Sequence, residues 1–83
     1  RDVAPAAPVH VLMIPKAHTE NIITAEPDLL LYMFGKVKEL AEKLGVNEKG
    51  FRIVANTGDD GGQTVKHLHI HLLGGKALGW PPC

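Results

Sequence analysis

The sequence predicts a small α+β domain in which an antiparallel sheet is covered by one main helix. Three observations support this: a β-branched apolar run near residues 9–14, an amphipathic repeat that begins at Pro27, and two further apolar runs joined by a glycine-rich loop. Because the elements follow in the order strand, helix, strand, loop, strand, a largely antiparallel sheet is favoured. The 83 residues are enough for one domain and too few for two.

The first strand and the helix are indicated by their periodicity and by their ends. The run near residues 9–14 is closed by Pro15 and places His10 on one of its faces. Further along, the apolar positions are spaced three and four apart, as in an amphipathic helix. These positions are Leu30, Phe34, Val37, Leu40 or Ala41, and Leu44. Pro27 suits the first turn of this helix, and Gly45 suits the residue that follows its last turn.

The second half of the chain predicts two strands around a tight loop. Residues 51–56 and residues 65–73 are the strands, and residues 57–64 form a loop rich in glycine and aspartate. Because side chains alternate along a strand, the histidines of the last strand would share one face, and the apolar residues would pack against the helix. The histidines are His67, His69 and His71, and the apolar residues are Leu68, Ile70 and Leu72.

The composition excludes several classes of partner. Nine Lys and Arg residues balance nine Asp and Glu residues, so the chain lacks the broad positive field that non-specific nucleic-acid binding uses. Its apolar stretches are much shorter than the roughly 20 residues that cross a bilayer, so no membrane association is expected. The single cysteine, Cys83, cannot form a disulfide within the chain and favours a reducing, cytoplasmic location.

The start and the size of the chain suggest a missing part. The first residue is Arg1 rather than Met, and a chain this short buries only about 60–65% of its unfolded surface. We therefore expect residues 1–83 to form a single domain that lacks an N-terminal segment, or a domain that a partner chain completes.

The three alternate histidines are the strongest functional signal. A single histidine in a strand is most simply a buried side chain with a hydrogen-bond partner, but three on one face are hard to explain as core packing. Repulsion between neighbouring imidazolium charges favours some neutral rings near pH 7, which suits metal binding or nucleophilic catalysis.

A zinc site is the alternative interpretation of this row. Side chains two apart on a strand are separated by about 7 Å, so one ion with bonds of about 2.1 Å cannot take all three rings. Zinc would have to bind two of these three histidines together with His10 or His18, and the third histidine of the row would have no role. His18 itself is interpreted as an exposed loop residue, and we expect no metal or other cofactor.

Nucleophilic attack on phosphorus gives a role to more of the three histidines than a zinc site does. The middle ring would attack and become a phosphoryl-imidazole, and its second nitrogen would need a hydrogen-bond acceptor that fixes the tautomer. The loop before the row supplies backbone N–H groups for an anion, at Gly61, Gly62, Gln63 and Thr64.

At this point the sequence closely resembles the histidine-triad (HIT) family of nucleotide hydrolases and transferases, and specifically its Hint branch, whose members hydrolyse adenosine phosphoramidates. The resemblance spans nearly the whole chain, and the alternating histidines and the W-P-P ending are its most specific parts. The matching segments are residues 1–5, residues 7–10, Asn56 to Thr64, His67 to Gly75 and Trp80 to Pro82.

The resemblance implies a role for each matched position. His69 would be the nucleophile that forms a nucleotidyl-histidine, His67 would assist the leaving group, and His71 would contact the phosphate. His10 matches a fourth histidine behind the row. The residues implied in nucleotide binding, besides His69 and His71, are Asp2, Val3, Asn56, Gly62, Gln63 and Thr64.

The resemblance also implies an activity and an assembly. The substrate would be a purine nucleoside 5′-phosphoramidate, an AMP derivative, and the chain would form a homodimer whose C-terminal tail, with Trp80, lies near the partner's site. Thr64 stands where serine is common and keeps a hydroxyl for the leaving amine. Lys66 replaces a common tyrosine and places a charge near the phosphate. A non-catalytic nucleotide-binding or scaffold protein remains a further hypothesis.

Overall fold

The computed structural model describes residues 8–79 and contains the predicted order of elements. They are β1 (Val9–Met13), α1 (Pro27–Lys43), β2 (Phe51–Val54) and β3 (Ile70–Gly74). All pairing is antiparallel and the strand order is β1-β3-β2, so the last strand lies in the middle of the sheet. The predicted α+β class is therefore confirmed. Within this part of the chain, no helix has both the length and the apolar composition needed to span a bilayer.

Helix α1 has the predicted ends, but its buried face differs from the prediction by one residue. The helix starts at Pro27, and Gly45, with φ of 75°, turns the chain away after its last turn. Its buried residues include Met33, whereas Phe34, predicted to face the core, is 51% exposed. The first two turns carry apolar residues on almost every position, so periodicity alone could not assign the buried side.

The sheet has one face against α1 and one face turned away from it. Ile70 and Leu72 of β3 point toward the helix and join its buried side chains in two clusters. The members of these clusters are Met33, Leu68 and Ile70, and Val37, Ala41, Val46 and Leu72. His71 lies opposite Leu12 of β1 and Val54 of β2. Because side chains alternate, His71 lies on the face away from the helix.

Strand β3 is shorter than the predicted strand over residues 65–73. It begins at Ile70 because the neighbouring strands end near this residue. Met13, the last residue of β1 to pair, lies opposite Ile70, and Val54, the last residue of β2 to pair, lies opposite His71. Pro15 follows soon after Met13 and has no N–H to donate to a neighbouring strand. The alternation nevertheless continues outside the sheet, because Leu68 is 1% exposed. The first two histidines of the row therefore lie before the strand.

Candidate functional site

His69 is held in one tautomer by the backbone. Its Nδ1 lies 2.7 Å from the carbonyl oxygen of His67. Because a carbonyl oxygen can only accept a hydrogen bond, Nδ1 carries the proton, and the lone pair of the neutral ring is on Nε2. The ring is half-buried. Nε2 of His69 is therefore a nucleophilic atom whose orientation is set by the main chain two residues earlier.

His71 and His10 form a hydrogen-bonded pair beside His69. Nε2 of His10 and Nδ1 of His71 are 3.0 Å apart, and the ring centroids of His69 and His71 are 5.1 Å apart with their planes at 76°. His10 is 5% exposed. The structure thus brings together three of the predicted site residues in a contiguous series of rings that crosses from β3 to β1.

His67 is held by the segment that follows β1. Its Nε2 lies 3.2 Å from the carbonyl oxygen of Pro15, so this nitrogen is the donor. The ring of His18 meets the ring of His67 edge-on, with centroids 5.0 Å apart and planes at 90°. His18 is exposed, as the sequence predicted. The prediction missed its contact with the first histidine of the row.

The loop over residues 57–64 is closed by Asn56 and requires glycine at one position. The side-chain Nδ2 of Asn56 donates to the carbonyl oxygen of Gly61 at 2.6 Å. A Cβ atom at Gly61 would lie 2.4 Å from the carbonyl oxygen of Thr57, so no larger residue fits without a shift of the backbone. Asn56 therefore stabilises the loop that precedes the histidines, and its contact with nucleotide stays a prediction.

The predicted nest of four backbone N–H groups is partly used within the loop. The N–H groups of Gly62 and Gln63 each donate to a loop carbonyl at 3.0 Å. Those of Gly61 and Thr64 form no hydrogen bond with residues 8–79. Gly62 has φ of 76°, a conformation that costs other residues roughly 1 kcal/mol. Two of the four N–H groups therefore have no acceptor among residues 8–79, and the anion site stays a prediction.

Gln63 is buried, and its amide is fully hydrogen-bonded within the protein. Only 6% of the residue is exposed. Oε1 accepts from the N–H of Gly58 at 2.9 Å and from Nδ2 of Asn21 at 3.3 Å. Nε2 donates to the carbonyl oxygens of Glu20 at 2.7 Å and Val65 at 3.0 Å. The Gln63 side chain therefore cross-links the loop to residues 20 and 21, and the nucleotide contact expected of this residue stays a prediction.

The remaining predicted positions lie at the surface or outside the described residues. Thr64 is exposed at the end of the loop. The Lys66 ammonium is 3.9 Å from the carboxylate of Glu20, and both side chains are about half exposed or more, so this ion pair contributes less than about 1 kcal/mol. Asp2 and Val3, and the C-terminal tail from Trp80, lie outside residues 8–79.

Sequence reasoning did not identify Asn21, which is 8% exposed. Its Oδ1 accepts from the N–H of Ile23 at 2.9 Å, and its N–H donates to the Thr24 hydroxyl at 3.2 Å. Asn is a common residue in such side-chain turns, so its residue type was the local signal. Its contact with Gln63, 42 positions away, is tertiary and has no local signal.

The zinc alternative finds no ligand set in the described residues. Between residues 8 and 79 no group of three or more His, Cys, Asp or Glu side chains is arranged to hold a metal ion. The facing nitrogens of His10 and His71 are joined by a hydrogen bond, and His67 Nε2 is bonded to a carbonyl. The ring nitrogens named here are therefore engaged in hydrogen bonds within the protein.

A groove of about 790 Å³ lies elsewhere, between the end of β1 and helix α1. Its lining residues are mostly apolar or basic and include none of the histidines. They are Met13, Ile14, Pro15, Lys16, Ala17, Leu29, Tyr32, Met33, Lys36, Glu39, Leu40 and Lys43. Because none of the histidines of the row lines it, this groove is not the candidate catalytic site.

The fold and the site together define a class: an α+β protein with three alternating histidines, the middle one of which is held through Nδ1 by a backbone carbonyl. The family model described as HIT domain matches residues 1–78. The chain belongs to the HIT domain family.

Relatives and solved structures agree with this assignment. An uncharacterized HIT-like protein of Synechococcus elongatus is 56% identical over 99% of this chain and 74% of its own length. The crystal structure of a HIT family hydrolase from Legionella pneumophila has a TM-score of 0.93 and 44% identity, over 100% of this chain and 77% of that one. The histidine triad nucleotide-binding protein from Candida albicans has a TM-score of 0.78 and 33% identity, over 96% of this chain and 64% of that one.

Proposed function

We propose that this protein hydrolyses the phosphorus–nitrogen bond of purine nucleoside 5′-phosphoramidates through a covalent nucleotidyl intermediate on His69. The observation that carries the proposal is the 2.7 Å bond from His69 Nδ1 to the His67 carbonyl, which leaves the lone pair on Nε2. The similar Legionella protein is described as a hydrolase and the similar Candida protein as nucleotide-binding. The Hint-branch pattern of the sequence supports the phosphoramidate as substrate.

The first step forms one bond to phosphorus and breaks another. The Nε2 lone pair of His69 attacks the α-phosphorus, and the phosphorus–nitrogen bond to the leaving amine breaks as the Nε2–phosphorus bond forms. The departing amine needs a proton, and the Thr64 hydroxyl at the loop end is the proposed donor, with His67 assisting at this side. Throughout this step the His67 carbonyl stabilises the positive charge that develops on the His69 ring.

The second step returns the enzyme to its starting state. Water attacks the phosphorus of the nucleotidyl-histidine and gives up one proton, which returns to the Thr64 oxygen that protonated the amine. The Nε2–phosphorus bond breaks with its electron pair returning to His69, and the nucleoside 5′-monophosphate leaves. His71, supported by His10, is proposed to contact the phosphoryl oxygens in both steps, together with Asn56 and Gly62 at the loop. Asp2 and Val3 are proposed to contact the ribose and the base.

The assembly and the location belong to the same proposal. Helix α1 carries exposed apolar side chains on its outer side, at Leu31, Tyr32 and Phe34, and a second copy of the chain would cover such a surface, as the resemblance implies for a homodimer. The lone cysteine favours a cytoplasmic protein.

A turnover assay tests the proposed reaction. Incubation with an alkyl adenosine phosphoramidate is expected to release amine and AMP in equal amounts, and a chelator is expected to leave the rate unchanged. The matched control is His69→Gln, which keeps a side chain of similar reach without a nucleophilic nitrogen. Tight AMP binding without any turnover would favour the non-catalytic hypothesis, and loss of rate with the chelator would favour zinc.

A further inference from the structure

We propose that Asn21 is a positioning residue for this reaction, because its amide holds Gln63 and thereby sets the place of the loop and of the His67–His69 segment. The inference rests on the proposed function, because its main test measures the rate of the proposed hydrolysis. It concerns a residue that is not part of the histidine row, and the contacts that carry it form a continuous path from Asn21 to the nucleophile.

The His67–His69 segment depends on contacts outside the sheet. It precedes β3, so no strand pairs with it. Its neighbour is instead the segment over residues 15–21, which contacts it repeatedly: the Pro15 carbonyl accepts from His67 Nε2 at 3.2 Å, and the Thr19 carbonyl accepts from the Leu68 N–H at 2.7 Å. The position of the first two histidines therefore follows the position of residues 15–21.

The Asn21–Gln63 contact fixes the end of the segment over residues 15–21 to the loop over residues 57–64. Both residues are buried, at 8% and 6% exposure, so an amide that loses its partner here stays desolvated without a hydrogen bond. Nδ2 of Asn21 donates to Oε1 of Gln63 at 3.3 Å, and Nε2 of Gln63 donates to the Glu20 carbonyl at 2.7 Å. Two hydrogen bonds thus join residues 20 and 21 to the loop that leads into His67.

The two polar atoms of the Asn21 side chain have separable tasks. Oδ1 accepts from the Ile23 N–H within the local turn, whereas Nδ2 reaches across to Gln63. A serine at this position keeps an acceptor for the turn but is too short to reach Gln63. Asn21→Ser therefore removes the Asn21–Gln63 hydrogen bond and keeps both the turn and the bond from Gln63 to the Glu20 carbonyl. Displacements on the order of 1 Å at a catalytic group lower rates by about 100-fold.

The experiment is a double-mutant cycle in the full chain. We expect Asn21→Ser to lower the single-turnover rate constant with an alkyl adenosine phosphoramidate by about 10- to 100-fold per folded molecule, with a smaller change in KM. Asn47→Ser, at an exposed turn after α1, is the matched control and should leave the rate unchanged. In a Gln63→Ala background, Asn21→Ser should have little further effect, because residues that act through one contact are not additive.

Two results would overturn the proposal. One is a rate constant for Asn21→Ser equal to that of Asn47→Ser, and the other is full additivity with Gln63→Ala. If the unmodified protein shows no turnover, the proposed function fails and the positioning claim is decided by NMR instead. Asn21→Ser should then speed hydrogen exchange at the Leu68 N–H and weaken the His69 Nδ1–H signal, and unchanged exchange at both groups would refute it.

Discussion

His69→Ala is expected to lower single-turnover hydrolysis of an adenosine phosphoramidate by about 10⁴-fold or more, because removal of a covalent nucleophile abolishes the pathway that it opens. The other proposed contacts to the nucleotide do not involve the His69 ring, so the affinity for AMP should change by less than about tenfold. Rapid-quench measurement of released amine gives the rate, and calorimetry with AMP gives the affinity.

The size of the replacement provides an internal control for this prediction. Alanine leaves a space that free imidazole can enter beside the His67 carbonyl, whereas glutamine fills it. Added imidazole should therefore restore part of the activity of His69→Ala and none of the activity of His69→Gln. Turnover of His69→Ala within tenfold of the unmodified protein would show that another group attacks the phosphorus.

The largest expected effect on stability is that of Ile70→Ala. Ile70 is 1% exposed and packs with Met33 and Leu68 between the sheet and α1. Removing its side chain loses buried apolar area and leaves a cavity, which together cost about 2–5 kcal/mol. Since domains of this size have about 5–15 kcal/mol of stability in total, the free energy of unfolding in urea should fall by a large fraction.

The matched control for this prediction is the same substitution at the surface. Ile23 is 79% exposed, and only its backbone N–H takes part in the Asn21 turn. Ile23→Ala should therefore change the free energy of unfolding by less than about 0.5 kcal/mol. Equal losses at Ile70 and Ile23 would contradict the assignment of the core.

Much of the fold could be predicted because local patterns and tertiary burial agree. The alternation around His69 predicted which side chains face the helix, and Leu68, Ile70 and Leu72 are each 1% exposed. The ends of α1 were predicted by Pro27 and Gly45, whose backbone geometry is largely independent of the rest of the molecule.

The features that could not be predicted depend on partners distant in the chain. The start of β3 at Ile70 is decided by where β1 and β2 end, which the histidine pattern itself does not contain. The buried cross-link between Asn21 and Gln63 joins residues 42 positions apart. The second bond of the Gln63 side chain to this region, to the Glu20 carbonyl, spans 43 positions and likewise has no local signal.

Mass analysis of the covalent intermediate is the most direct test of the central claim. The protein is mixed with an adenosine phosphoramidate, quenched in alkaline denaturant that preserves the phosphorus–nitrogen bond, and digested with trypsin. Cleavage after Lys66 and Lys76 isolates a peptide that contains His67, His69 and His71 and no other histidine. We predict one adenylyl group on His69. An adduct on His67 or His71, or turnover at full rate without any adduct on this peptide, would contradict the account.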